Sequence, residues 1–173
     1  MDQSIIRVVW RFIILVLIQV LILSRINLGG TEFNYVQIFI YPLFILLLPI
    51  NIARSWLLII GFALGLTVDM FYNSPGMHAG AAVFSAFIRP NMLSALEPRG
   101  GYKINSIPNI RQFGSNWFYR YAAAVVSLHL FFYFLLEAFD LTQILQILIK
   151  SVLSFVASMV LIGIYMLIFN PKE

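Results

Sequence analysis

Apolar residues in this chain fall into long runs, not the alternation of a half-buried strand or the one-sided stripe of a soluble helix. Crossing a hydrocarbon layer about 30 Å thick takes about 20 apolar residues in a helix. Six runs approach or exceed that length, over 5–24, 35–52, 56–71, 76–96, 118–136 and 141–169. The second holds Pro42 and Pro49, and the fourth meets Arg89 and Pro90 before its end. The sixth is long enough to be tilted, or to begin as an interfacial turn with Lys150 snorkelling. The first follows Arg7 and Arg11 but runs on with no small-residue cleavage site, so it reads as a retained helix and not a signal peptide. The pattern predicts one all-α membrane domain over 1–173 with six transmembrane helices.

Composition agrees. Of 173 residues, 61% are hydrophobic and 10% charged, against about 25% charged in soluble domains. The net charge of +4 does not call for nucleic acid, because basic residues flanking apolar spans are what membrane topology requires. With the N-terminus inside, nine of the 11 basic residues fall on inner segments: Arg7, Arg11, Arg54, Arg89, Arg99, Lys103, Arg111, Arg120 and Lys172. Arg25 and Lys150 fall outside, with the acidic Glu32, Glu137 and Asp140. Both termini are therefore expected in the cytoplasm. The connection 89–116, RPNMLSALEPRGGYKINSIPNIRQFGSN, is a basic inner loop, an anchor on anionic lipid headgroups or a dock for a cytoplasmic partner. Trp10, Trp56, Trp117 and Tyr119 fit an aromatic belt at the inner interface.

Chemistry has few carriers. Cysteine is absent, which removes disulfides and thiolate ligands. His78 and His129 are the two imidazoles. There is no HExxH, GxSxG or Walker A motif and no pair of carboxylates at helical spacing within the spans. No catalytic role, cofactor or metal is expected. His129 and Gln19 read as interior hydrogen-bonding residues.

The informative stretch is GLTVDMFYNSPGMHAGAAVF, residues 65–84. A carboxylate at the bilayer centre costs about 2.5–3.5 kcal/mol on insertion scales, so Asp69 is a functional candidate. It lies in the last turn of the third run, near the outer interface, where Asn73, Ser74 and His78 can gather with it. Asn73 and Ser74 are candidate caps for the next helix, and Pro75 suits its first position. This corner reads as a polar latch on a helical hairpin, a partner-helix contact, or a small-ligand or proton site. Gly61 and Gly65 on the third run, and Gly76 and Gly80 with Ser85 or Ala86 on the fourth, have the spacing of four that lets helix backbones approach closely.

The segment from Gly61 to Ala86, with its glycines, then VDM, a short turn and GMHAGAAVFSAF, resembles the central signature of the MreD family of rod-shape-determining membrane proteins. Gly65, Asp69, Gly76 and Gly80 are the matching positions. The resemblance implies a non-catalytic multi-pass subunit of the bacterial inner membrane that scaffolds or regulates lateral peptidoglycan synthesis. The partners it implies are MreC, MreB directly or through MreC, a SEDS glycosyltransferase and a class B penicillin-binding protein. It also implies a fold resembling the six-helix S-components of energy-coupling-factor vitamin transporters, which supplies the rival: a substrate-binding transporter subunit whose pocket opens outward near Asp69 and His78. The rival needs several polar groups converging on a cavity.

Overall fold

The computed structural model describes residues 3–26, 35–103 and 106–169, and Glu32 and Lys172 lie outside them. Among the described residues the chain is all-helical, with no strands. Helix α1 (Gln3–Leu17) continues through a π-helical turn, Ile18–Ile22, into a 3₁₀ turn, Leu23–Arg25. A short α2 (Pro42–Leu46) precedes α3 (Arg54–Tyr72) and α4 (Met77–Ala95). A single turn, α5 (Ile110–Phe113), leads into α6 (Ser115–Ala138), and α7 (Ile144–Phe169) follows a 3₁₀ turn, Leu141–Gln143.

Four helices are long and apolar enough to cross a membrane: Ile6–Arg25, α3, α6 and α7. This is the composition and architecture of a membrane protein. Helix α4 is as long as α3, but its Ala, Gly and Ser content and internal Arg89 and Pro90 make it less apolar. Contacts run most extensively from α3 to α4, then α4 to α6 and α6 to α7.

The run 35–52, expected as a membrane helix, is not one. Its first part, 35–40, has no helical turn, and only Pro42–Leu46 coils. Pro42 sits at the start of α2, where its missing N–H costs nothing. Pro49 bars continuation at the other end. Every residue from Phe39 to Leu48 is buried, so this segment is the core of the bundle.

Non-helical backbone deep in a membrane protein needs partners for its polar groups. Side chains supply them here. The Gln37 N–H donates to Ser154 Oγ and the Phe39 N–H to Ser158 Oγ, each at 2.9 Å, from serines one turn apart on α7. From the other side, Gln19 accepts from the Ile40 N–H at 2.9 Å and donates to the Ile38 carbonyl at 3.1 Å.

The far end of the segment is held by cations. Arg11 Nη1 donates to the Leu47 carbonyl at 2.9 Å, and Arg89 Nη2 donates to the carbonyls of Leu48 and, at 3.3 Å, Pro49. Arg89 Nε donates to the Tyr121 hydroxyl at 3.1 Å, which donates in turn to the Leu46 carbonyl. Positive groups thus meet the unsatisfied carbonyls that end α2. Arg89 was expected in the basic loop, but α4 continues past it to Ala95 and it is 1% exposed. The remaining loop cations, Arg99, Lys103 and Arg111, are exposed, as is Arg120 near the start of α6. Lys150 Nζ donates to Glu137 Oε2 at 3.0 Å.

Candidate functional site: the α3–α4 corner

Helix α3 ends because Asn73 takes a left-handed conformation at φ 50°, and Gly76, at φ 85°, turns the chain into α4. Ser74 and Pro75 lie within the turn. Neither Asn73 nor Ser74 caps α4, contrary to the sequence expectation. Asp69 does, reaching across from the preceding helix: Oδ1 accepts from the His78 N–H at 3.0 Å and Oδ2 from the Ala79 N–H at 2.9 Å. A carboxylate at a helix N-terminus satisfies free amides and meets the positive end of the helix dipole.

Asp69 is also the hub of a side-chain cluster. Ser74 Oγ donates to Asp69 Oδ1 at 2.8 Å, and His78 Nδ1 lies 3.0 Å from the same oxygen and 2.8 Å from Ser74 Oγ. Two lone pairs would repel at that separation, so Nδ1 carries the hydrogen. Nε2 is left as an acceptor, fully buried with no hydrogen-bond partner. The rings of Tyr72 and Tyr133, both 4.8 Å away between centroids, and of Tyr41 and Phe39 surround the imidazole. Ser74 and Asp69 share the same nitrogen, so the trio lacks the relay of a nucleophilic triad, in which serine and carboxylate bind opposite nitrogens.

Close packing sets this geometry. A Cβ on Gly65 would lie 2.4 Å from Ala79 Cα and the His78 carbonyl oxygen, so α4 rests directly on the α3 backbone. Gly61 is the looser contact one turn earlier, with Ala82 O and Ala86 Cβ each 3.1 Å from such an atom. The fourth-helix glycines are used differently. Gly80 faces Leu136 of α6, and Gly76 serves its left-handed conformation, with open space around it.

Two interior residues read from sequence are satisfied as expected. His129 Nε2 meets the Tyr41 hydroxyl at 2.8 Å, while Nδ1 meets Ser85 Oγ at 2.7 Å and the Ala81 carbonyl at 3.1 Å. Gln19 Nε2 also donates to the Tyr72 hydroxyl at 2.8 Å, tying α1 to the corner. Sequence reasoning missed Ser154, Ser158, Arg11 and Tyr121 as holders of the central segment. Ser151, Ser154 and Ser158, spaced by three and then four residues, were the available signal, since that spacing aligns hydroxyls on one helix face.

Two concavities adjoin the corner. One, about 330 Å³, lies between the end of α1, the extended segment, the α3–α4 turn and the end of α6. The other, about 610 Å³, is an apolar groove over α3, α4 and α6, floored by Ala79 and Gly80 and edged by Phe62, Phe87 and Phe132. Among the described residues, no group of three or more His, Asp or Glu could hold a metal ion. The chain matches no protein-family model, no curated protein and no solved structure.

Proposed function

We propose that this chain is an MreD-like, non-catalytic membrane subunit that scaffolds or regulates bacterial lateral wall synthesis. The observation that carries this reading is the α3–α4 hairpin. Gly65, Asp69 and Gly76, three of the four residues behind the family resemblance, each take part in fixing this corner, while the fourth, Gly80, faces Leu136 of α6. Their polar and steric capacity is spent inside the chain, so they set the shape of a surface for partners to read. That surface is the apolar groove beside the hairpin, where Phe84 stacks on Phe132 at 4.3 Å and Val83 and Phe87 line the concavity.

In this reading the protein sits in the bacterial inner membrane with the α3–α4 turn outward and both termini in the cytoplasm. The exposed Arg99, Lys103, Arg111 and Arg120 support that orientation. The central segment and α4 would count as crossings alongside the four long apolar helices, six in all. The partners would be MreC, a SEDS glycosyltransferase and its class B penicillin-binding protein, with MreB reached directly or through MreC.

The test is purification of the tagged chain in mild detergent beside Val83→Trp, which fills the groove. Recovery of an MreC-like protein and wall synthases with the wild type, reduced with Val83→Trp, is the expected result. Recovery of transporter ATPases instead would overturn it in favour of a solute-binding subunit of the energy-coupling-factor type, the reading that the polar cleft favours.

A further inference from the structure

The 330 Å³ cleft is within the size range of small-molecule sites, about 300–1,000 Å³. Its wall includes three aromatic rings, Phe39, Tyr72 and Tyr133, and its polar groups include Gln37, Asn73 and Ser74. Glu137, the one charged residue among the described residues that line it, is already engaged by Lys150 at 3.0 Å and by Gln37 Nε2 at 3.1 Å. Among the described residues, no lysine or arginine lines it.

Hydrogen-bonding capacity is left over at this place. The Tyr133 hydroxyl bonds no described residue, and Asn73 is exposed with its side chain uncommitted among the described residues. The His78 ring, whose buried Nε2 has no hydrogen-bond partner, lies 4.8 Å between centroids from both Tyr72 and Tyr133 but does not itself line the cleft. Polar atoms are rarely left unpaired in a protein interior. Here Tyr133 and Asn73 carry unused capacity at the wall of a cavity.

The geometry points to a binding site for a small, flat, uncharged molecule that stacks on Tyr72, Tyr133 or Phe39 and hydrogen-bonds the groups around them. An anion would find no cationic partner, and a cation would have to compete with Lys150 for Glu137. The site holds for a scaffold, where occupancy would regulate, and for a solute-binding subunit, where it would be the cargo site. It does not rest on the identity of the partners.

Three isosteres of one size but different charge make the test: benzamide, benzoate and benzamidine, with the full chain in lipid nanodiscs and saturation-transfer NMR as readout. Benzamide is expected to bind at least about tenfold tighter than either charged probe. Ser24→Trp, which fills the cleft from an exposed position on its rim, should abolish that binding while leaving the melting temperature unchanged. Tyr133→Phe keeps the ring, removes the hydroxyl and should weaken binding several-fold. No benzamide binding, equal or tighter binding of a charged probe, or binding that survives Ser24→Trp would each overturn the inference. Partner capture is read in a separate assay, so failure here leaves the scaffold proposal standing.

Discussion

Gly65→Ala tests the hairpin most directly, because it adds one methyl group where the structure leaves no space. The new Cβ would lie 2.4 Å from Ala79 Cα and the His78 carbonyl oxygen, and 2.6 Å from Ala79 N. Carbon atoms pack at about 3.5–4.0 Å, so the helices must part by more than about 1 Å. All three obstacles are backbone, and no rotamer change relieves them. Overpacking costs about 1–3 kcal/mol. Separation also stretches the 3.0 Å and 2.9 Å bonds from Asp69 to the His78 and Ala79 amides, at about 1–2 kcal/mol for a lost cap. The gain in helix propensity from Gly to Ala returns at most about 1 kcal/mol. The net loss is about 2–4 kcal/mol, measurable by unfolding in mixed detergent micelles. Position matters as much as size. Gly61→Ala meets its neighbours at 3.1 Å and should cost under about 1 kcal/mol, while Gly80→Ala meets the movable Leu136 Cδ1 at 2.9 Å and should be near neutral. A Gly65→Ala variant no less stable than Gly61→Ala would refute the reasoning.

Other contacts make their own predictions. Asp69→Asn places an amide NH₂ against the N–H groups of His78 and Ala79, so it should destabilise by about 1–3 kcal/mol and speed hydrogen exchange at both amides. Ser158→Ala strands the buried Phe39 N–H, at about 1–3 kcal/mol, and Ser154→Ala, which frees the part-buried Gln37 N–H, should cost less; the same melts with unaltered exchange at Gln37 and Phe39 would show that the serines do not hold it. Arg89→Lys should destabilise nearly as much as Arg89→Met, because a single ammonium cannot span Tyr121 and two carbonyls. Full rescue by lysine would reduce Arg89 to a simple positive charge. In the loop after α4, Tyr102 donates to the Leu93 carbonyl, and burial, with Glu97 nearby, pushes its phenol up to about 12. Its contribution is complete below pH 10 and lost as pH rises through about 12, so the stability gap between the wild type and Tyr102→Phe should narrow across that window.

The apolar runs made the long helices legible because crossing a bilayer demands length and hydrophobicity together. The same signal failed for 35–52, since hydropathy reports burial and not backbone conformation. Pro42 and Pro49 were visible there, but a proline can also kink a helix, and only the distant Gln19, Ser154 and Ser158 decide the outcome. At the corner, sequence placed Asp69, Ser74 and His78 together because a short turn leaves them no alternative. It assigned the cap to the wrong residues because capping rules describe local partners, and Asp69 caps from the end of another helix. Arg89 was misplaced for a related reason. Counting positive charges for topology assumes that each faces headgroups, whereas this one faces the carbonyls of α2.

Those misassignments share a cause that bears on function. Asp69, His129, Gln19, Arg11 and Arg89 are buried polar groups that spend their hydrogen bonds on backbone or side chains of the same chain. A helix docking on the outside would therefore meet mainly the exposed apolar side chains, such as Phe62, Phe87 and Leu167. Lipid tails offer a partner helix the same chemistry, so hydrophobicity alone cannot select a partner here. Selection has to come from shape and from polar groups left exposed at the two ends. The groove over α3, α4 and α6 offers such a shape, and its form depends on α4 lying flat against α3. The Asp69 cap and Gly65 thus act on partner choice from inside the protein. Substitutions there should alter association without touching a partner, and substitutions of the same size at the exposed Leu167 should not.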